Sequence, residues 1–383
     1  QQYASAAGLE QAVIAQLVAL AERISGEPTL QRCAEQLFAQ TYAGAELTIE
    51  PTAETLLGAE ANKLYLLLAV AALPQLWVAQ QARGIPAAIT REIFGALPTA
   101  ARRFAEWHSG QVGLEAWVLR YWFNEVASGH LHRLGRLEFI LGTFDCNLRV
   151  YRHRQSGRVQ ALAEAGLQFA VDGYLPFEYD EITGDHYGWR RPERTAEGWT
   201  ASLVETEESI TGTPISPCGY ALRTMQQLAK AEWELVFANG DTVLDIHIPN
   251  YMPLQFDLLH ESLQRALDFF PCFYQDRPFK AFVCSSWIFN TQLREMLAPN
   301  SNLLAFQRQG YLFPLPSDGA DGLYFLFGDW LIDLDKAPRD TQLQRAVIKH
   351  LKAGDKLRSG GFFLLPDAVE QFGQAPYQSG ECI

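Results

Sequence analysis

The sequence lacks the short signatures of the commoner enzyme classes. It holds no Gly-x-Ser-x-Gly elbow, no His-Glu-x-x-His pair, no Walker loop and no dinucleotide fingerprint. Their absence argues against α/β-hydrolase, zincin, P-loop and Rossmann chemistry. Cysteine is scarce, six in 383 residues, and Cys33, Cys146, Cys218, Cys272, Cys284 and Cys382 form neither a Cys-x-x-Cys pair nor a Cys/His metal spacing. The expectation is reduced, mostly buried thiols in a cytoplasmic protein without a metal. Basic charge is in deficit, 31 Lys and Arg against 44 Asp and Glu for a formal net charge of -13, which repels polyanions and argues against a nucleic-acid partner. Basic clusters at Arg149, Arg152, His153, Arg154 and at Arg190, Arg191, Arg194 match no nucleic-acid-binding module and read as solvated faces. No charged-then-apolar leader opens the sequence. The longest uncharged run, Leu64 to Ala82, is broken by Pro74, Gln75, Gln80 and Gln81, so it reads as a buried core helix with no membrane partner.

Apolar residues are plentiful, at 48% hydrophobic and 12% aromatic with nine Trp, enough for sizeable cores. The length exceeds what one core usually holds and favours two domains. Leu9, Val13, Ile14, Leu17, Val18, Ala21 and Ile24 recur at helical spacing, and Leu30, Cys33, Leu37 and Phe38 continue it after the Ser25-Gly26-Glu27-Pro28 break. Further helices are expected over Glu60 to Val78, Thr90 to Leu97 and Leu114 to Val126. At Leu137 the pattern changes, with β-type runs over Leu137 to Phe144 and Leu148 to His153 and a hairpin turn at Gln155-Ser156-Gly157.

From Gly173 to Pro217 the periodicity lapses, and the segment reads as long excursions that either shape a site or form a surface insertion. Strands are then expected over Trp233 to Phe237 and Thr242 to Ile248, separated by an Asn239-Gly240 turn. One face of the next helix carries Leu259, Leu263, Ala266, Leu267 and Phe270. A buried strand over Phe279 to Ser285 and a short helix around Thr291 to Leu297 follow. Leu303 to Gln309 and Leu323 to Phe327 read as a final hairpin across Pro316-Ser317-Asp318-Gly319. Thr341 and Gln344 form a capping box for a helix ending at Gly354, and Ser359-Gly360-Gly361 reads as a turn.

Several separated strings carry a family resemblance. His132-Arg133-Leu134-Gly135-Arg136-Leu137-Glu138-Phe139, Leu244-Asp245-Ile246-His247-Ile248-Pro249, Phe282-Val283-Cys284-Ser285-Ser286-Trp287, Asn300-Ser301-Asn302 with Phe306-Gln307-Arg308, and Pro338-Arg339-Asp340-Thr341-Gln342-Leu343-Gln344-Arg345 resemble the N-acyltransferases that join a helical N-terminal domain to a GNAT-like domain. The resemblance implies an α+β fold: a helical N-terminal domain over 1–135, then a GNAT-like mixed-sheet α/β domain over 136–383. It also implies acyl-CoA as co-substrate, with a small-molecule acyl donor and an acceptor amine. GNAT proteins hold acyl-CoA between two splayed parallel strands, with the N-terminus of the helix after the first strand facing the pyrophosphate, where free N–H groups and a partial positive charge favour an anion. By that resemblance Ile246, Ile248, Asn250, Met252, Leu254, Gln255 and Arg308 would contact the cofactor. The loop Pro249-Asn250-Tyr251-Met252-Pro253-Leu254 departs from the superfamily's phosphate loop in having no glycine.

For catalysis, His247 at the end of the first splayed strand has the residue type of a general base. Asp245 shares its face by period-two alternation and is placed to orient the imidazole, or else to bond a neighbouring backbone group. Cys284 and Ser286, at the end of the second splayed strand, offer a thiol or hydroxyl to the departing thiolate, although so apolar a strand equally accommodates a structural thiol. Two alternatives stay open: a non-catalytic GNAT-like module that binds a small molecule or protein, and a Cys284-dependent enzyme.

Overall fold

The computed structural model describes residues 2–46, 49, 51–187, 198–249 and 253–378. It divides into two units, Gln1–Ile140 with Asp268–Gln275, and Leu141–Leu267 with Asp276–Ile383. The fold is α+β, helical at the N-terminus with mixed sheet beyond it.

In the first unit, Gln11–Gly26 and Pro28–Ala43 are helices. Pro28 opens the second at a position where no N–H is needed, and Gly44 closes it at φ 64. Both pack on Ala61–Ala82. That helix is apolar nearly all round and buries Leu64, Leu66, Ala69, Leu73 and Leu76 to 1% exposure or less, as a core helix does. By length and composition alone the segment Ala53–Ala82 would also pass as a membrane span. A hairpin closes the unit, with Leu131–Leu134 antiparallel to Leu137–Thr143 in the register Leu131↔Ile140. At its base His132 is fully buried: the Tyr274 hydroxyl donates to the Gly129 carbonyl at 2.9 Å, so His132 Nε2 is the donor in its 2.5 Å bond to that hydroxyl.

In the second unit the main sheet runs from the end of Leu137–Thr143 through Thr242–His247, Phe282–Ser286 and Gly360–Leu364 to Tyr311–Pro314. The pair Thr242–His247 and Phe282–Ser286 is parallel, whereas Gly360–Leu364 runs antiparallel to both Phe282–Ser286 and Tyr311–Pro314. A second sheet orders Tyr220–Ala221, Pro214–Ser216, Val159–Ala163, Leu148–His153 and Trp233–Ala238. Phe144, Phe237, Phe313 and Phe363 interlock between them: Phe144 meets Phe237 and Phe313 edge-on, as Phe237 meets Phe363, with ring centroids 5.0–6.2 Å apart, and Phe313 lies tilted against Phe363 at 6.3 Å. The Asn239-Gly240 turn joins the sheets rather than closing a hairpin, because Trp233–Ala238 pairs with Leu148–His153 while Thr242–His247 pairs with Phe282–Ser286.

Three sequence expectations need correction. The final hairpin is not formed by Leu303 to Gln309 and Leu323 to Phe327. Both runs are helical, Asn302–Gln307 capped by the Ser301 hydroxyl and Leu323–Phe327 bracketed by left-handed Gly322 and Gly328. The hairpin-like pair is instead Tyr311–Pro314 with Gly360–Leu364. Second, Ser359-Gly360-Gly361 is not a turn, since both glycines lie inside the strand. A Cβ on Gly361 would sit 2.1 Å from the Phe313 ring and one on Gly360 2.2 Å from the Phe289 carbonyl, so the glycines serve close packing. Third, the cysteines are not all reduced: Cys218 is disulfide-bonded, while Cys33 and Cys284 are buried free thiols and Cys272 is exposed.

Candidate active site

The parallel pair forks before its strands end. The register Leu244↔Phe282 and Asp245↔Val283 carries the pairing only to mid-strand, after which Phe282–Ser286 stays with Gly360–Leu364 as far as Ser286↔Gly360. Just past the fork the Cys284 thiol donates to the Ile246 carbonyl at 2.9 Å. A side chain thus occupies an acceptor that a continuing sheet would have given to backbone. Cys284 is 3% exposed, and burial first, then the Asp245 charge, drives its thiol well above the ordinary range. That is the setting of an inert thiol.

Alternation sorts the fork residues. Leu244 and Ile246 are buried, whereas Asp245 is exposed and His247 half-buried on the other face of the strand. Solvent reaches the Asp245 carboxylate, yet protein surrounds it closely enough that lost hydration, followed by repulsion from Asp145, pushes its pKa up from 3.8 to about 7.

Asp145 and Cys146 follow the strand Leu137–Thr143. They are brought there by backbone bonds from Phe144 N–H to the Asp241 carbonyl at 2.9 Å and from Gly240 N–H to the Phe144 carbonyl at 2.8 Å, with Asn147 turning the chain at φ 56. Asp145, Cys146, Ser285 and Ser359 line a cavity of about 420 Å³ whose apolar wall includes Leu175 and Leu315. The half-buried Cys146 thiol is pushed up to about 12, by burial first and then by Asp145, with a Ser285 hydrogen bond pulling the other way. Ser359 donates to Asp321 at 2.6 Å, and burial raises that carboxyl to about 6.

The remaining sequence-selected residues are placed as follows. Ser286 does not line the cavity with Ser285: its hydroxyl caps the short helix Trp287–Phe289, accepting from Ile288 N–H at 3.4 Å. Ile248 is half-buried just beyond its strand. Leu254 and Gln255 lead into the helix Phe256–Phe273, where the Gln255 carbonyl accepts the Leu259 N–H at 3.0 Å and Asp257 occupies the first turn. Arg308 donates to the Pro299 carbonyl at 3.3 Å and lines neither this cavity nor the larger one beside it. Asn250 and Met252 lie outside the described residues, as do Arg190, Arg191 and Arg194. Among the described residues no His, Cys, Asp or Glu cluster suits a metal ion. Asp145, Cys146 and Ser359 were not marked as site residues by the sequence, in which Cys146 reads only as one of the scattered thiols and Ser359 as part of a turn.

Family comparison settles the class. Residues 1–129 match the N-acyltransferase N-terminal domain, and residues 131–364 match the GNAT-like C-terminal domain. The chain belongs to the two-domain N-acyltransferase family. Its fold is similar to solved acyltransferases of low identity. One, in complex with decanoyl-CoA and teicoplanin, gives a TM-score of 0.59 at 20% identity, covering 94% of this chain and 86% of the other. A point mutant bound to octanoyl-CoA gives 0.58 at 20% identity with the same coverage, and one bound to CoA and 10C-teicoplanin gives 0.54 at 21%, covering 87% and 76%. No curated protein matches the chain significantly. Within this N-acyltransferase, the forked strands and the helix after the first of them occur in the order the family resemblance implies.

Proposed function

We propose that this N-acyltransferase moves an acyl group from acyl-CoA to an amine acceptor by direct attack, at the fork between Thr242–His247 and Phe282–Ser286. The observation that carries the reading is Asp245, exposed at the fork on the strand face opposite Leu244 and Ile246, with its pKa pushed up to about 7. A carboxylate so tuned is part-ionised near neutrality and basic enough to accept a proton from an ammonium acceptor.

In this scheme the acceptor nitrogen loses a proton to Asp245 and attacks the thioester carbonyl. A C–N bond forms, the C–S bond breaks, and the second proton of the nitrogen passes to the departing sulfur, so that a neutral amide and CoA thiol are released. The roles first given to His247 and Asp245 change places, with Asp245 as base and His247 a neighbour on the same face. Ser285, exposed and lining the cavity, offers its hydroxyl to the departing sulfur. Backbone at Ile246 and Ile248 lies along the donor. Leu254 and Gln255 lead to the N-terminus of Phe256–Phe273, where the pyrophosphate would meet the free N–H groups of a first helical turn. Acyltransferases of similar fold that hold octanoyl-CoA, decanoyl-CoA and teicoplanin support a thioester donor and a small-molecule acceptor for this chain too.

The test is release of CoA thiol from octanoyl-CoA in the presence of a panel of primary amines. With Asp245→Asn, amine-dependent release falls about 100-fold or more while octanoyl-CoA still binds. Undiminished turnover in the variant would remove Asp245 from the reaction. A second reading, a non-catalytic module, is favoured by the absence of glycine from Pro249 to Leu254 and by Asp257 in the first helical turn, both unfavourable to a pyrophosphate. It forecasts no amine-dependent release from any donor.

A further inference from the structure

Beside the fork cavity lies a larger one of about 680 Å³. The two share a wall: Leu175 and Ser359 face the smaller cavity, while their sequence neighbours Tyr174 and Arg358 face the larger. Nothing in the acyl-transfer scheme uses the larger one.

Its charges are sorted by depth. Among the described residues three cations line it, Arg358 buried and Arg294 and Lys356 half-buried, whereas the three acids that line it, Asp172, Glu295 and Asp355, are all exposed. An anion entering this cavity passes acids at the mouth and meets positive charge inside. Most of that charge is already committed. Arg358 donates to the Leu175 carbonyl at 2.9 Å, pairs with Asp172 at 3.6 Å and stacks over Phe177 at 4.1 Å and Tyr174 at 4.7 Å.

Arg294 is different. Its Nη2 is buried and has no hydrogen-bond partner among the described residues, a costly state for a guanidinium unless a ligand completes it. Burial depresses its pKa, with nearby Arg308 adding to the effect against the partial relief of Tyr174 and Tyr220.

The walls around Arg294 are braced. Tyr174 is held by a 2.5 Å bond between its hydroxyl and that of Thr291. Gln292 ties the Lys356–Arg358 segment down, donating to the Lys356 carbonyl at 3.0 Å and accepting from Arg358 N–H at 3.1 Å. Tyr174 and Tyr220 stand 6.4 Å apart by ring centroid and give the cavity an aromatic side. One uncommitted guanidinium behind a mouth of acids matches a single negative charge and opposes a dianion such as a phosphate monoester. The aromatic side matches a ring.

We propose that this cavity binds a small aromatic monocarboxylate, its carboxylate on the Arg294 guanidinium and its ring against Tyr174 and Tyr220. The site does not depend on acyl transfer, and its test does not use it. The full chain is titrated calorimetrically with 3-phenylpropionate and with its uncharged amide, 3-phenylpropionamide. The native chain binds the acid about tenfold or more tighter than the amide. Arg294→Gln abolishes that preference by weakening the acid alone. Equal affinity for acid and amide in the native chain overturns the proposal, and so does binding of neither up to about 10 mM, weaker than ordinary small-ligand recognition. An acid preference that survives Arg294→Gln in a folded variant overturns it as well. The comparison on the native chain stands even if that variant does not fold.

Discussion

The chemistry proposed for this chain turns on two aspartates 100 positions apart in sequence. Asp245 was legible in the sequence because period-two alternation puts it on one face of its strand with His247. Asp145 was not, since only the backbone bonds joining Phe144 to Asp241 and Gly240 carry it to the fork, and such pairing leaves no local pattern. The missing partner matters, because Asp145 repulsion is the second cause, after burial, of the raised Asp245 pKa. A base acts in its ionised form, so the rate should rise with pH through about 7. Asp145→Asn removes the like charge, lowers the Asp245 pKa and moves the acid limb of the pH–rate profile to lower pH. Because burial remains, the limb should stay above 3.8, the unperturbed aspartate value. A profile unmoved by Asp145→Asn would show that the limb belongs to another group.

At the scale of elements, strongly periodic segments announced themselves. Thr242–His247, Phe256–Phe273 and the capped helix Gln342–Lys352 lie within a few residues of their sequence expectations. The last strand pair did not, for two physical reasons. Leu303 to Gln309 and Leu323 to Phe327 are short apolar runs that periodicity cannot assign. The true strand begins with two glycines, which read locally as a turn but are demanded by the Phe313 ring and the Phe289 carbonyl. Gly361→Ala should therefore destabilise the second unit by about 1–3 kcal/mol, as overpacking does, measured by denaturant unfolding. An unchanged midpoint would mean that Phe313 moves aside freely. Thr341→Ala, which removes the capping box of Gln342–Lys352, should cost about 1 kcal/mol. A loss near zero by the same measurement would show the exposed cap to be replaced by water.

On the scale of the whole molecule, the chain builds two units and buries ionisable groups in both. In the first unit, burial lowers the His132 pKa from 6.5 to about 3. Between those values the unfolded chain binds more protons, so this contribution is intact at neutral pH and is lost as pH falls from about 6.5 toward 3. Glu138, buried and raised from 4.5 to about 7, has the opposite sign: the folded chain holds the extra proton, and stability is lost as pH rises from 4.5 to 7. Together the two place the most stable range between about pH 4.5 and 6.5. Glu138→Gln should abolish the decline in melting temperature on its alkaline side, and a decline that persists in the variant would assign it elsewhere. Acyl transfer by this chain requires the fork to be a thioester site. Its most direct test is calorimetric titration of the full chain with octanoyl-CoA and with CoA. Saturable binding of octanoyl-CoA below about 1 mM, in the ordinary range for enzyme substrates, and tighter than that of CoA is the predicted result. No heat from either ligand at that concentration would contradict it.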